Sequence, residues 1–161
     1  MRRKDREITR VDEKLEIIDK CDVCRLAFAD ETEPYIVPLN FGYEFSEGKL
    51  VLYFHCASKG RKLDIMKKHP RVCFEMDCSR KLMGSGEIAC EYTMAYESVI
   101  GTGTLELCES TEEKLKGLRL LMRQMVKSDN FTFLSEQIER ITVLRLLADD
   151  FSAKKSTGIR V

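Results

Sequence analysis

Residues 35–55, YIVPLNFGYEFSEGKLVLYFH, constrain the fold of this chain more than any other stretch. Two runs rich in aromatic and aliphatic residues flank the polar segment Ser-Glu-Gly-Lys. That pattern predicts two strands, the first from Tyr35, joined as an antiparallel hairpin. Pro38 falls inside the first of them. Proline has no N–H to give to a ladder, so this strand is predicted to lie at a sheet edge or to be bulged there.

The rest of the chain follows the same grammar. VCRLAF, from Val23 to about Ala29, reads as a strand, and DETEP after it as a turn. RVCFEM, GSGEIACEYT and MAYESVIGTGTLELCE read as further strands, with Gly101 and Gly103 marking a bulge or a close backbone approach. ITVLRLLADDFSAKKS supplies a last strand and a polar tail. Helices interrupt this series. Val11, Leu15 and Ile18 recur at helical spacing. Ser58 is placed to cap a helix that turns Leu63 and Met66 inward and stops before Pro70. Ser110 and Glu113 form a capping box for a helix whose predicted buried stripe is Leu115, Leu118, Met122 and Met125. Residues 131–138 fit neither pattern clearly.

About six strands in consecutive hairpin-like runs, without β-α-β alternation, predict a mainly β fold: an antiparallel barrel with peripheral helices. There is no internal repeat and no linker, so residues 1–161 are expected to form one domain.

Lysine plus arginine equals aspartate plus glutamate, 27 of each, so no global basic field drives binding to nucleic acid. No apolar run has the length of a membrane span. The opening MRRKDREITR has charges with no apolar core behind them; it reads as a solvated or partner-docking arm, not a secretory signal. The seven cysteines are odd in number and irregularly spaced, which fits a reducing, cytoplasmic setting. Cys21 and Cys24 form a single CxxC with no second pair, so no metal site is expected and the cysteines are read as structural.

The chemistry concentrates in HCASKGRK, residues 55–62. A helix N-terminus carries unpaired backbone N–H groups and a positive dipole, so acidic side chains are favoured in its first turn. Here the first turn carries Arg61 and Lys62. They are either a solvated basic turn or half of an anion site. With the Ser58 hydroxyl, Gly60 and the free N–H groups, they make a donor set suited to phosphate. The P-loop pattern is absent, and so is a dinucleotide fingerprint.

CRLAF, PYIVPLNFGYE, LYFHCASKGRKLDIMKKHPRVCFEMD and YESVIGTGTLE, in this order and spacing, resemble the flavin-binding split-barrel proteins related to pyridoxamine 5'-phosphate oxidase, most of all the 5-nitroimidazole-resistance (Nim-like) branch. The resemblance implies a homodimer with flavin mononucleotide (FMN) at the subunit interface. The isoalloxazine would be lined by the backbone of Val37, Pro38, Leu39 and Asn40. His55, Ser58, Arg61 and Lys62 would hold the ribityl chain and phosphate, with Ser58 standing in for the hydroxyl that the family places at the position of Gly60. Tyr96 and Ser98 are assigned to the flavin from the other subunit. Asn40 stands where vitamin B6 oxidases carry a lysine, and the chain has no tryptophan, so it departs from those enzymes.

His55 is the candidate catalytic residue: a hydrogen-bond donor to flavin or substrate, or a proton source. A histidine near this place meets substrate or haem iron in related proteins; the plainer alternative is an imidazole bonded to a backbone carbonyl. The implied activity is an FMN-dependent oxidoreductase that takes electrons from a transient donor, such as a reduced nicotinamide, and passes them to a small planar acceptor such as a nitro-aromatic. The alternative is a flavin- or haem-binding carrier or sensor without turnover.

Overall fold

The computed structural model describes residues 3–30, 33–128 and 130–158. Glu31 and Thr32 of the expected DETEP turn, the first two residues of the N-terminal arm and the tail from residue 159 lie outside them. The strands are β1 (Glu7–Ile8), β2 (Cys24–Ala29), β3 (Pro34–Leu39), β4 (Gly42–Ser46), β5 (Lys49–Cys56), β6 (Arg71–Met83), β7 (Thr93–Leu107) and β8 (Thr142–Ser156). The helices are α1 (Val11–Asp19), α2 (Arg61–Lys68), α3 (Thr111–Val126) and α4 (Ser135–Arg140). The fold is mainly β, an antiparallel sheet that does not close, in the order β3-β2-β6-β7-β8-β5-β4 with β1 on β8. The chain forms two compact units. One holds residues 3–21, 75–100 and 151–158; the other holds the rest of the described residues.

In the second unit the predicted Tyr35 strand is two strands. β3 pairs with β2, placing Val37 opposite Leu26 and Pro38 opposite Arg25. The chain then breaks at Asn40 and Phe41, and β4 pairs with β5, placing Tyr43 opposite Leu52. Fully buried Phe41 anchors that break. β3 is at one edge of the sheet, where proline is tolerated. β5 in turn pairs with β8, Phe54 facing Leu144 and His55 facing Val143. Cys24, Leu26, Phe28, Leu50, Leu52, Phe54, Phe74, Leu144 and Leu146 are among its buried core residues.

α3 has the predicted capping box, with Glu113 N–H donating to Ser110 Oγ at 3.1 Å. Its buried stripe differs from the expected one. Gly117, Leu118, Leu121 and Gln124 face inward, Leu115 and Met122 are half-buried, and Met125 is exposed. The cause is close approach: a Cβ at Gly117 would lie 2.8 Å from the Tyr53 ring. The helix therefore turns its smallest residue to the sheet, and the stripe rotates with it. Tyr53, Cys108, Leu118, Ile138 and Val143 form the cluster beneath α3 and α4. Gly101 and Gly103 mark a close backbone approach, to Phe74 and Asp150 and to Leu147 respectively.

In the first unit β1 pairs with β8, Ile8 opposite Ala153. α1 buries Ile17 and Ile18, while Val11, its first residue, is exposed. GSGEIACEYT is not the strand expected from its sequence. Gly84 and Gly86 have φ of 125° and 88°, a 3-10 turn covers Ala89–Glu91, and β7 begins only at Thr93. Positive φ at two glycines breaks any extended ladder. Among the described residues no helix is long and apolar enough to cross a membrane.

Candidate functional site

The corner between β5 and α2 is built by alternation and then by its loss. Leu52 and Phe54 are fully buried on one face of β5, and Tyr53 is buried on the other beneath α3. His55 continues the Tyr53 face but is exposed, and Ala57, Ser58, Lys59 and Gly60 are exposed after it. α2 then buries Leu63, Ile65 and Met66, as its sequence predicts for the first and last, and His69 closes it before Pro70.

The N-cap is Gly60, not Ser58. Gly60 has φ 141° and ψ 161°, a conformation open essentially to glycine alone. A Cβ there would touch nothing within 4 Å, so the requirement is conformational rather than steric. The Gly60 carbonyl accepts from Leu63 N–H at 2.9 Å and Asp64 N–H at 3.3 Å. A glycine cap offers no side chain to the first turn. The backbone N–H groups of Arg61 and Lys62 therefore carry no hydrogen bond to a described residue. Ser58 is left two residues upstream with an exposed hydroxyl.

Arg61 meets negative charge within its own chain. Nη1 donates to Glu33 Oε1 at 3.0 Å and Nη2 to Asp30 Oδ2 at 3.1 Å. Its guanidinium carbon sits 4.8 Å from the centroid of the Tyr35 ring, which ties the corner to the start of β3. The hydrogen bonds to Glu33 and Asp30 hold the guanidinium above its ordinary pKa. Lys62 is half-buried and forms no ion pair with a described residue. Its charge opposes the burial that pushes the Cys56 thiol up; burial wins, so Cys56 stays a thiol near neutral pH.

The His55 backbone sits in the ladder opposite Val143, and its imidazole makes no hydrogen bond to a described residue. On β3, Val37 and Leu39 are half-buried while Ile36 and Pro38 are exposed on the opposite face. Asn40 Nδ2 donates to the Asp22 carbonyl at 2.9 Å, which fixes the end of the strand. No hydrogen bond or ion pair among the described residues joins Val37, Pro38, Leu39 or Asn40 to His55, Ser58 or Lys62. Tyr96 and Ser98 lie half-buried on β7 in the first unit, on either side of Glu97.

Two groups of functional interest escape the sequence. Asp30 and Glu33 sit about thirty positions before the cation they hold, and nothing in their spacing announces it. Glu97, in the first unit, is nearly fully buried. It takes Lys20 Nζ at 3.1 Å, Lys155 Nζ at 2.8 Å and the Ser79 hydroxyl at 2.8 Å. Its signal was available: in AYESV it occupies the same alternate phase as buried Val99. Burial alone would raise its pKa; Lys155, Ser79 and Lys20 outweigh that and hold it down to about 2. Cys21 donates to the Ile17 carbonyl at 3.2 Å, and burial together with nearby Cys78 pushes its thiol up, the mark of an inert structural cysteine. Among the described residues no cluster of His, Cys, Asp and Glu is placed to share a metal ion.

The donor set at the β5–α2 corner suits a phosphate: two N–H groups and an ammonium without partners among the described residues, a hydroxyl and a guanidinium. The family model described as pyridoxamine 5'-phosphate oxidase matches residues 10–155. A candidate 5-nitroimidazole antibiotic resistance protein from Bacteroides thetaiotaomicron is 29% identical, with a TM-score of 0.79 over 92% of this chain and 86% of that one. The flavocytochrome Anf3 from Azotobacter vinelandii is 20% identical, with a TM-score of 0.75 over 96% of this chain and 71% of that one. An FAD and haem binding protein from Mycobacterium smegmatis is 17% identical, with a TM-score of 0.79 over 97% of this chain and 76% of that one. At those identities the last two are alike in fold. No curated protein matches in sequence. With a family model matched over nearly all of its length, this chain belongs to the pyridoxamine 5'-phosphate oxidase family.

Proposed function

We propose that this protein is an FMN-dependent oxidoreductase, working as a homodimer, that reduces a small planar acceptor such as a nitro-aromatic. The observation that carries the reading is the β5–α2 corner, whose free backbone donors and cations suit a phosphomonoester within a chain of this family. Likeness to the 29% identical candidate resistance protein supports the class of acceptor.

The bound flavin supplies the redox chemistry. The chain's own residues have other work. The N–H groups of Arg61 and Lys62, the Ser58 hydroxyl and the two cations would hold the phosphate. The open edge of β3 at Val37, Pro38, Leu39 and Asn40 would offer backbone groups to the ring, joined by Tyr96 and Ser98 of a second copy. His55, exposed and with an imidazole that bonds to no described residue, would donate a hydrogen bond or a proton at the ring's margin. A reduced nicotinamide would bind transiently over the exposed flavin face.

That same imidazole also serves the rival reading, a flavin or haem carrier without turnover, as a ligand to iron. The test is the visible spectrum of the purified full chain, with light scattering for a mass of twice 18.6 kDa. The proposal predicts flavin absorbance, FMN released by heat, and consumption of reduced nicotinamide when a nitroimidazole is added. A Soret band in place of flavin, or bound FMN with no turnover under any donor, favours the carrier. No chromophore and no uptake of added FMN contradicts both.

A further inference from the structure

The cation best shaped to grip a phosphate is already engaged. Both terminal nitrogens of Arg61 donate to carboxylates, Nη1 to Glu33 and Nη2 to Asp30, and Tyr35 lies against the guanidinium face. A bidentate grip on phosphate draws on the same two terminal nitrogens. Phosphate and the two carboxylates therefore compete for one fork. From this geometry, and resting on the reading of a phosphorylated flavin at this corner, we infer that Asp30 and Glu33 are specificity-determining residues. They neutralise Arg61 in the empty protein and limit how strongly it prefers a phosphorylated ligand to an unphosphorylated one.

The contact can be displaced. The Arg61 side chain is 42% exposed and that of Glu33 64%, with Asp30 at 26%. Exposed pairs of this kind are individually weak, equivalent to a few-fold in an equilibrium constant. The two together are enough to compress a preference without abolishing it. Lys62, which has no carboxylate of its own among the described residues, would then carry the first attraction for the anion. Arg61 would follow by exchanging its carboxylates for phosphate oxygens. The exchange is isoelectric at Arg61: it enters and leaves with negative oxygens on both nitrogens.

The test is a titration of FMN and of riboflavin, followed by flavin fluorescence, into four proteins. They are the unchanged chain, Asp30→Asn with Glu33→Gln, Arg61→Ala, and all three changes together. Releasing Arg61 should tighten FMN by roughly three- to thirty-fold, the product of two exposed pairs, and leave riboflavin within about twofold. Each single change should give part of the gain. In the Arg61→Ala background the gain should vanish, as the cycle requires of a coupled pair. Unchanged or weakened FMN binding in the double variant overturns the inference while leaving the flavin reading in place. So does a gain shared equally by riboflavin, or one that persists without Arg61. If none of the four proteins takes up either flavin, the flavin reading itself falls.

Discussion

Glu97 shows what a single side chain can hold together. It is 5% exposed, and two lysines and a serine hydroxyl reach it. Its folded pKa, about 2, lies below the ordinary glutamate value of 4.5. A depressed carboxylate stabilises the fold fully above the unfolded pKa and loses that contribution as pH falls toward the folded one. The window is therefore about pH 4.5 down to about 2. The lysines are roughly half exposed, so screening reduces the effect, and Glu97→Gln should cost about 1 kcal/mol near neutral pH. Urea titrations at successive pH values should show that gap closing below pH 4. A constant gap from pH 7 to 3 would mean that the carboxylate's charge contributes nothing. Glu97 was legible in principle, because a charged residue in the buried phase of a strand needs partners. Its partners were not: Lys20 and Lys155 belong to distant segments that only the fold brings together. The same limit hid Asp30 and Glu33 behind Arg61. The Gly60 cap is illegible for another reason: Ser58 is the better capping residue by preference, but the backbone here requires φ above zero, which only the three-dimensional path reveals.

At the scale of elements, signals are legible where they act locally. The capping box at Ser110 and Glu113 is present with both of its reciprocal bonds. Ser110→Ala should therefore destabilise the protein by about 1 kcal/mol, read as a lower urea midpoint with an unchanged slope. Because α3 covers Tyr53 through Gly117, the loss should also speed amide exchange in its first turn. An unchanged midpoint would show that the helix is fixed by packing alone. The stop of α2 before Pro70, the edge position of Pro38 and the β4–β5 hairpin are legible for the same reason, since each rests on a few neighbouring residues. The break of the Tyr35 strand at Asn40 and Phe41 is not, because apolar patterning continues across it while the pairing partner changes from β2 to β5. The α3 stripe is not legible either, because hydrophobicity favours Met125 inward, whereas close approach favours Gly117 and carries Gln124 in with it.

For the whole molecule, strand content and hairpin connectivity are the legible part. They select an antiparallel mainly β fold, and the family match over residues 10–155 agrees with it. Ligand identity is less legible, since the donors at the β5–α2 corner suit a phosphate on chemical grounds and carry no mark of the group attached to it. The central claim is therefore tested at that corner by comparing FMN and riboflavin affinities for the unchanged chain and for Arg61→Ala. Of the ligand, Arg61 contacts only the phosphate in this account, so its loss should weaken FMN about tenfold or more and leave riboflavin nearly unmoved. Equal weakening of both ligands, or of neither, would contradict it.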